Sequence, residues 1–143
     1  MTVIVVDDSA SVRQQFEITL TQAGMNVETF ETAEAALRRV RCVDHGVDAA
    51  VVDLKLPGMD GLSLTKLLRQ SDTWSWRPII VCSTTSDPRT LRAAKRFGVD
   101  GWAVKPFEPR RFIKSLQDVF NRKSQDAAHQ AMRPAQVRGL VPR

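Results

Sequence analysis

Cysteine is scarce in this chain: Cys42 and Cys82 are the only two, far apart and without the spacing of a metal site. A disulfide framework needs more cysteines in a shorter chain, so both are read as reduced thiols in apolar surroundings, which fits a cytoplasmic setting. No apolar run approaches the length of a membrane span. The N-terminus enters a strand at once, without the charged-then-apolar pattern of an export signal. Neither a Gly-x-Gly-x-x-Gly nor a Gly-Lys-Ser/Thr loop occurs, which weakens any reading as a nucleotide-binding protein. Histidine is equally sparse: His45 and His129 are the only two, and both are read as solvent-facing.

Positive charge is in excess, +5 by formal count, but the excess is local. From residue 122 onward Arg122, Lys123, Arg133, Arg138 and Arg143 face Asp126 alone, so that stretch holds +4 and residues 1–121 hold the remaining +1. A near-neutral domain offers nucleic acid no electrostatic footprint. A chain of 143 residues fits one domain and can bury a core without staples. Residues 1–121 are read as that domain. Residues 122–138 are polar and aperiodic, as in a basic tail or linker. Residues 139–143, ending in Leu140-Val141-Pro142-Arg143, match the left half of a thrombin site and are read as a tag-cleavage scar.

Apolar runs and punctuating residues alternate along 1–121. Val3 to Val6 is a short β-branched run of the kind buried on both faces of a sheet. Val12, Phe16 and Leu20 mark a helix that Gly24 ends. Val27 to Phe30 reads as a second strand, and Thr32 caps a helix carrying Ala33, Ala36, Leu37 and Val40. Asp48 to Asp53 is a third strand. Gly61 to Gln70 is a helix with Leu64, Leu67 and Leu68 turned inward. Pro78 opens a strand at Ile79 to Cys82, and Asp87-Pro88 starts a helix that ends at Gly98. Gly101 to Val104 is the fifth strand, and Pro109 begins a helix with Phe112, Ile113, Leu116, Val119 and Phe120 along one stripe. Five strands alternating with five helices over short connections predict a parallel sheet, reached by right-handed crossovers and covered on both faces. This is an α/β fold of the flavodoxin-like type.

Ligands in such sheets bind beyond the C-terminal strand ends. Those ends carry Asp7 and Asp8, Asp53, Ser83 and Thr84, and Lys105. Three carboxylates gathered there repel one another unless a cation joins them, and hard oxygen donors suit Mg²⁺, or Mn²⁺ in its place. A carboxylate beside such an ion can attack phosphorus and form an acyl phosphate. The charge on the moving phosphoryl group then wants a lysine and a hydroxyl, and one of each stands on its own strand.

Taken in order, Asp7-Asp8, Asp53-Leu54-Lys55-Leu56-Pro57-Gly58-Met59-Asp60-Gly61, Ser83 and Lys105-Pro106-Phe107 resemble the response-regulator receiver family of two-component signalling, over residues 1 to about 121. The resemblance implies that Asp53 is the phosphoacceptor. It implies that Asp8, Asp53 and the backbone carbonyl of Lys55 bind Mg²⁺, with Asp7 helping through water. Lys105 would pair with the phosphoryl group, Ser83 would hydrogen-bond it and shift with it, Lys105-Pro106 would be a cis peptide, and Trp102 would be the switch aromatic. The implied donor is a sensor histidine kinase or a histidine phosphotransfer protein. Phosphorylation would switch the surface of helix four, strand five and helix five, for a partner or a second copy to read. The chain would catalyse only its own phosphorylation and dephosphorylation.

Three positions depart from the family pattern. Thr84 stands where a small alanine is usual and would crowd the phosphoryl group. Lys55 lies where a side chain screens or assists the attacking water. Trp74 and Trp76 fall in the loop before strand four and are read as roofing the edge of the core rather than anchoring a partner. Arg89, Arg92, Lys95 and Arg96 crowd helix four and are read as a solvated face. Two other readings compete: the receiver part of a longer regulator with a DNA-binding or enzymatic output, and a Mg²⁺-dependent small-molecule phosphatase. The second wants an acid two residues after the nucleophile, where Lys55 stands, and a substrate cap for which the chain has no room.

Overall fold

The computed structural model describes residues 1–42 and 45–140, with side chains up to Asp126. Strands β1 (Thr2–Val6), β2 (Asn26–Phe30), β3 (Ala49–Val52), β4 (Ile79–Ser83) and β5 (Gly101–Val104) alternate with helices α1 (Ala10–Gln22), α2 (Ala33–Arg39), α3 (Gly61–Arg69), α4 (Pro88–Arg96) and α5 (Pro109–Leu140). The strands form one sheet in the order β2-β1-β3-β4-β5, parallel throughout. The chain steps outward from β1 to β2 and then returns to β3 on the other side. That reversal leaves a crevice at the C-terminal ends of β1 and β3.

The period of two along a strand builds the layers. Val3 and Val5 point to one face, where Phe16 and Leu20 of α1 and Phe112, Leu116 and Val119 of α5 cover them. Ile4 and Val6 point to the other, against Ala33 and Ala36 of α2 and Leu64 and Leu68 of α3. Polar side chains start the helices: Ser9 accepts from the Val12 amide, Thr32 from Ala35 and Asp60 from Ser63. Such caps satisfy donors that the first helical turn cannot. Asp87 takes the N-cap position of α4 without capping its backbone, and its carboxylate instead accepts from the Thr90 hydroxyl at 3.1 Å.

Several expectations change. Leu67 is 39 % exposed while Leu64 and Leu68 are buried; α3 lies on the sheet along the 64–68 ridge, and 67 sits about 100° round the helix from 68, on its flank. His45 is buried rather than solvent-facing, with Nδ1 accepting from the Val47 amide at 3.0 Å and its ring stacked on Trp74 at 5.6 Å. Trp74 sits inside the α2–α3 layer rather than over it, delivered there by a single 3₁₀ turn, Asp72–Trp74. Trp76 is half-buried, with the Arg77 guanidinium 5.0 Å from its ring. Helix α5 runs on to Leu140 rather than stopping near Asn121: Arg122 to Arg133 contains no glycine or proline and is rich in helix formers. Arg89, Arg92, Lys95 and Arg96 are exposed. The side chain of His129 and the end of the Leu140–Arg143 motif lie outside the described residues.

Candidate functional site

Strand register brings the acidic residues together. Val6 pairs with Val52, and the next step places Asp7 and Asp53 side by side, their backbones anchored by Asp7 N–H to Phe30 O at 3.0 Å and Asp53 N–H to Val6 O at 2.9 Å. Asp7 and Asp53 are 2 % and 8 % exposed, whereas Asp8 faces solvent. Carboxylate oxygens of Asp7, Asp8 and Asp53 lie within 4.8 Å of one another. One open and two buried oxygen donors fit a hard divalent ion that keeps part of its water.

Lys105 leaves the end of β5 and spans the pair. Its Nζ lies 2.6 Å from Asp7 Oδ2 and 3.0 Å from Asp53 Oδ2. The Lys105–Pro106 peptide is cis. The following Phe107 stacks on Phe16 of α1 at 4.3 Å, so the loop that delivers the lysine is seated on the core. Burial pushes the Asp53 carboxyl above the usual carboxylate range; the Lys105 hydrogen bond and charge pull it back only in part, and Asp7 adds to the rise. Burial works to lower the Lys105 pKa, but hydrogen bonds to Asp7 and Asp53 outweigh it and the ammonium is held above its ordinary value. The lysine is therefore a fixed cation, and Asp53 is an acid whose charge is costly until a partner arrives.

Ser83 is buried at the end of β4, and its hydroxyl accepts from the Thr85 amide at 3.4 Å. Trp102 is half-buried on β5, and its Nε1 donates to Thr85 O at 3.1 Å. Ser83 and Trp102 thus hold the same residue from two strands. Thr84 is exposed. Lys55 is exposed too, with its amide donating to Asp53 Oδ1 at 3.4 Å. Two residues at the site went unseen in the sequence. Arg13 of α1 donates to the Asp7 carbonyl at 2.7 Å, and Glu34 of α2 reaches the loop after Asp53. Both are charged residues on helices, and nothing local separates them from any solvated charge.

The family model of the response regulator receiver domain matches residues 3–117. The chain belongs to that family. The sensory/regulatory protein RpfC of Xanthomonas campestris is 31 % identical over 121 residues, 83 % of this chain and 16 % of RpfC. The transcriptional regulatory protein GltR of Pseudomonas aeruginosa is 28 % identical over 84 % of this chain and 49 % of its own length. The receiver therefore spans half or less of these two curated relatives. Among solved structures, the chemotaxis protein CheY4 of Vibrio cholerae superposes with a TM-score of 0.74 at 34 % identity, covering 82 % of this chain and 97 % of that one. Receiver domains of two-component systems interact with histidine kinases or phosphotransfer proteins. No helix among the described residues is long and apolar enough to cross a membrane.

Proposed function

We propose that this receiver accepts a phosphoryl group on Asp53 from a histidine kinase or phosphotransfer protein, with Mg²⁺ held by Asp8, Asp53 and the Lys55 carbonyl and supported by Asp7. One observation carries the reading: three carboxylates share a space of 4.8 Å at a strand edge where Lys105 Nζ stands 3.0 Å from Asp53. When bound, the ion offsets the repulsion of the carboxylates and draws charge from phosphoryl oxygens.

An Asp53 carboxylate oxygen attacks the phosphorus of a phosphohistidine. The new P–O bond forms as the P–N bond breaks, and the departing imidazole keeps the electron pair. Lys105, already charged and in place, neutralises the oxygens that arrive. The acyl phosphate competes for the Ser83 hydroxyl. When Ser83 turns toward it, Thr85 loses its tether to β4 and the hold on Trp102 changes, which biases the α4–β5–α5 surface between two arrangements. A partner protein, a second copy or an output domain reads that change. The near-full overlap with CheY4 and the half-length overlap with GltR suit a stand-alone regulator and a receiver of a longer protein equally.

Incubation with Mg²⁺ and a small acyl phosphate or phosphoramidate is expected to add a single phosphoryl mass to the intact protein, and Asp53→Asn is expected to add none. An unchanged wild-type mass overturns the assignment, as does labelling that survives Asp53→Asn.

A further inference from the structure

The loop Leu54–Asp60 follows Asp53 and carries the Lys55 carbonyl. Its own bonds are local: Lys55 N–H to Asp53 Oδ1, Gly61 N–H to Leu54 O at 3.0 Å, and Asp60 capping α3. Among the described residues, one hydrogen bond ties this loop to an element other than β3 and α3, which flank it. Met59 N–H donates to Glu34 Oε2 at 3.2 Å. Glu34 lies in the first turn of α2, where the helix N-terminus favours a negative side chain.

Two further features show that the contact is built. Gly58 adopts φ +74, and a Cβ there would stand 2.5 Å from Glu34 Oε2. The glycine thus turns the chain and also clears the space the carboxylate occupies. Glu34 Oε1 is buried without a hydrogen-bond partner. A half-buried carboxylate with one buried, unpaired oxygen is costly, and an alanine in α2 would avoid that cost while favouring the helix. Leu56 and Met59, on either side of Gly58, pack on the α2–α3 core layer, so the loop is drawn down onto α2 as well as bonded to it.

We infer that Glu34 is a positioning residue, holding the loop after Asp53 so that the Lys55 carbonyl is preorganised for the divalent ion. It touches neither phosphate nor ion; it acts through the Met59 amide. The inference rests on the site assignment made above. Without the tie, the loop must be ordered each time the ion binds, and that ordering weakens binding.

The test compares wild type with Glu34→Ala and Glu34→Gln. Amide hydrogen exchange is followed in the metal-free protein, and Mg²⁺ affinity by titration calorimetry. Glu34→Ala is expected to speed exchange at Met59 and to weaken Mg²⁺ binding about three- to tenfold, the reach of one hydrogen bond. Glu34→Gln keeps an acceptor for Met59 and is expected to restore most of both. Melting temperatures confirm that each variant is folded at the assay temperature. Faster Met59 exchange with unchanged Mg²⁺ affinity overturns the inference. Equal loss in the alanine and glutamine variants also overturns it, because charge rather than the hydrogen bond would then be what matters. Asp53→Asn is titrated alongside. If it binds Mg²⁺ as tightly as wild type, the site assignment has failed, and Met59 exchange alone then decides whether Glu34 holds the loop.

Discussion

Cys82 lies one residue before Ser83 and shares the electrostatics of the acidic pocket without taking part in it. Its thiol is pushed up to about 12, chiefly by burial; Lys105 pulls the other way, and Asp7 and Asp53 add to burial. A folded-state pKa raised above the unfolded value means that the folded chain holds a proton the unfolded chain has lost. The stability tied to this thiol is therefore full below about pH 9 and drains away as the pH rises toward about 12. At neutral pH the same burial makes the sulfur a poor nucleophile. Titration of the native protein with a disulfide reagent should show one fast thiol, the exposed Cys42, and a second that reacts only after denaturation. Two thiols reacting at the same rate would contradict the burial.

Helix α3 shows how an element's tilt sorts side chains of the same type. Leu64 and Leu67 look alike in sequence, yet one is wholly buried and the other 39 % exposed. Leu64→Ala should cost about 2–5 kcal/mol, because Leu64 is wholly buried and a layer around such a hole closes it only in part. Leu67→Ala should cost under about 1 kcal/mol, as surface changes do. Urea denaturation of the two variants measures this, and equal losses would mean that α3 is rotated from the placement described here. The same helix begins hard against the site: a Cβ on Gly61 would lie 2.2 Å from the Asp53 carbonyl oxygen. Glycine at the start of α3 is what lets that helix meet the end of β3.

Across the whole molecule the end opposite Asp53 is held by a second charged cluster. Arg69 donates to the carbonyls of Trp74, Arg77 and Gly98 and to Asp100 Oδ2 at 2.7 Å. Asp100 in turn accepts from the Ile79 amide at 2.9 Å and meets Lys123 Nζ at 3.0 Å. One guanidinium thus joins α3, the 3₁₀ turn and the end of α4, and through Asp100 the starts of β4 and β5 and the middle of α5. Gly98, at φ +98, leaves room for the arginine stem, since a Cβ there would lie 2.9 Å from Arg69 Cγ. Arg69→Ala leaves several carbonyls unpaired and takes from the half-buried Asp100 one of its two cations, and should cost about 2–3 kcal/mol in urea unfolding. Arg69→Lys should recover little of it, because an ammonium cannot copy the planar fork. A loss below about 1 kcal/mol for Arg69→Ala would show the cluster to be idle.

Much of this molecule follows from residue order alone. Apolar runs of strand length, glycine and proline at their borders, and the helix cap at Thr32 are local signals, and each makes its element wherever the element lies. The acidic and lysine residues at the strand ends were legible for the same reason: a parallel sheet carries every C-terminal strand end to one edge, whatever the packing of the helices. Tertiary structure alone decided that Glu34 reaches Met59, that Arg13 braces Asp7, that Arg69 gathers the far end, that Trp74 and His45 go inside, and that Leu67 stays out. These depend on where each helix rests on the sheet and how it is rotated. That placement is set by the sum of many weak contacts between distant segments, which no short stretch of sequence encodes.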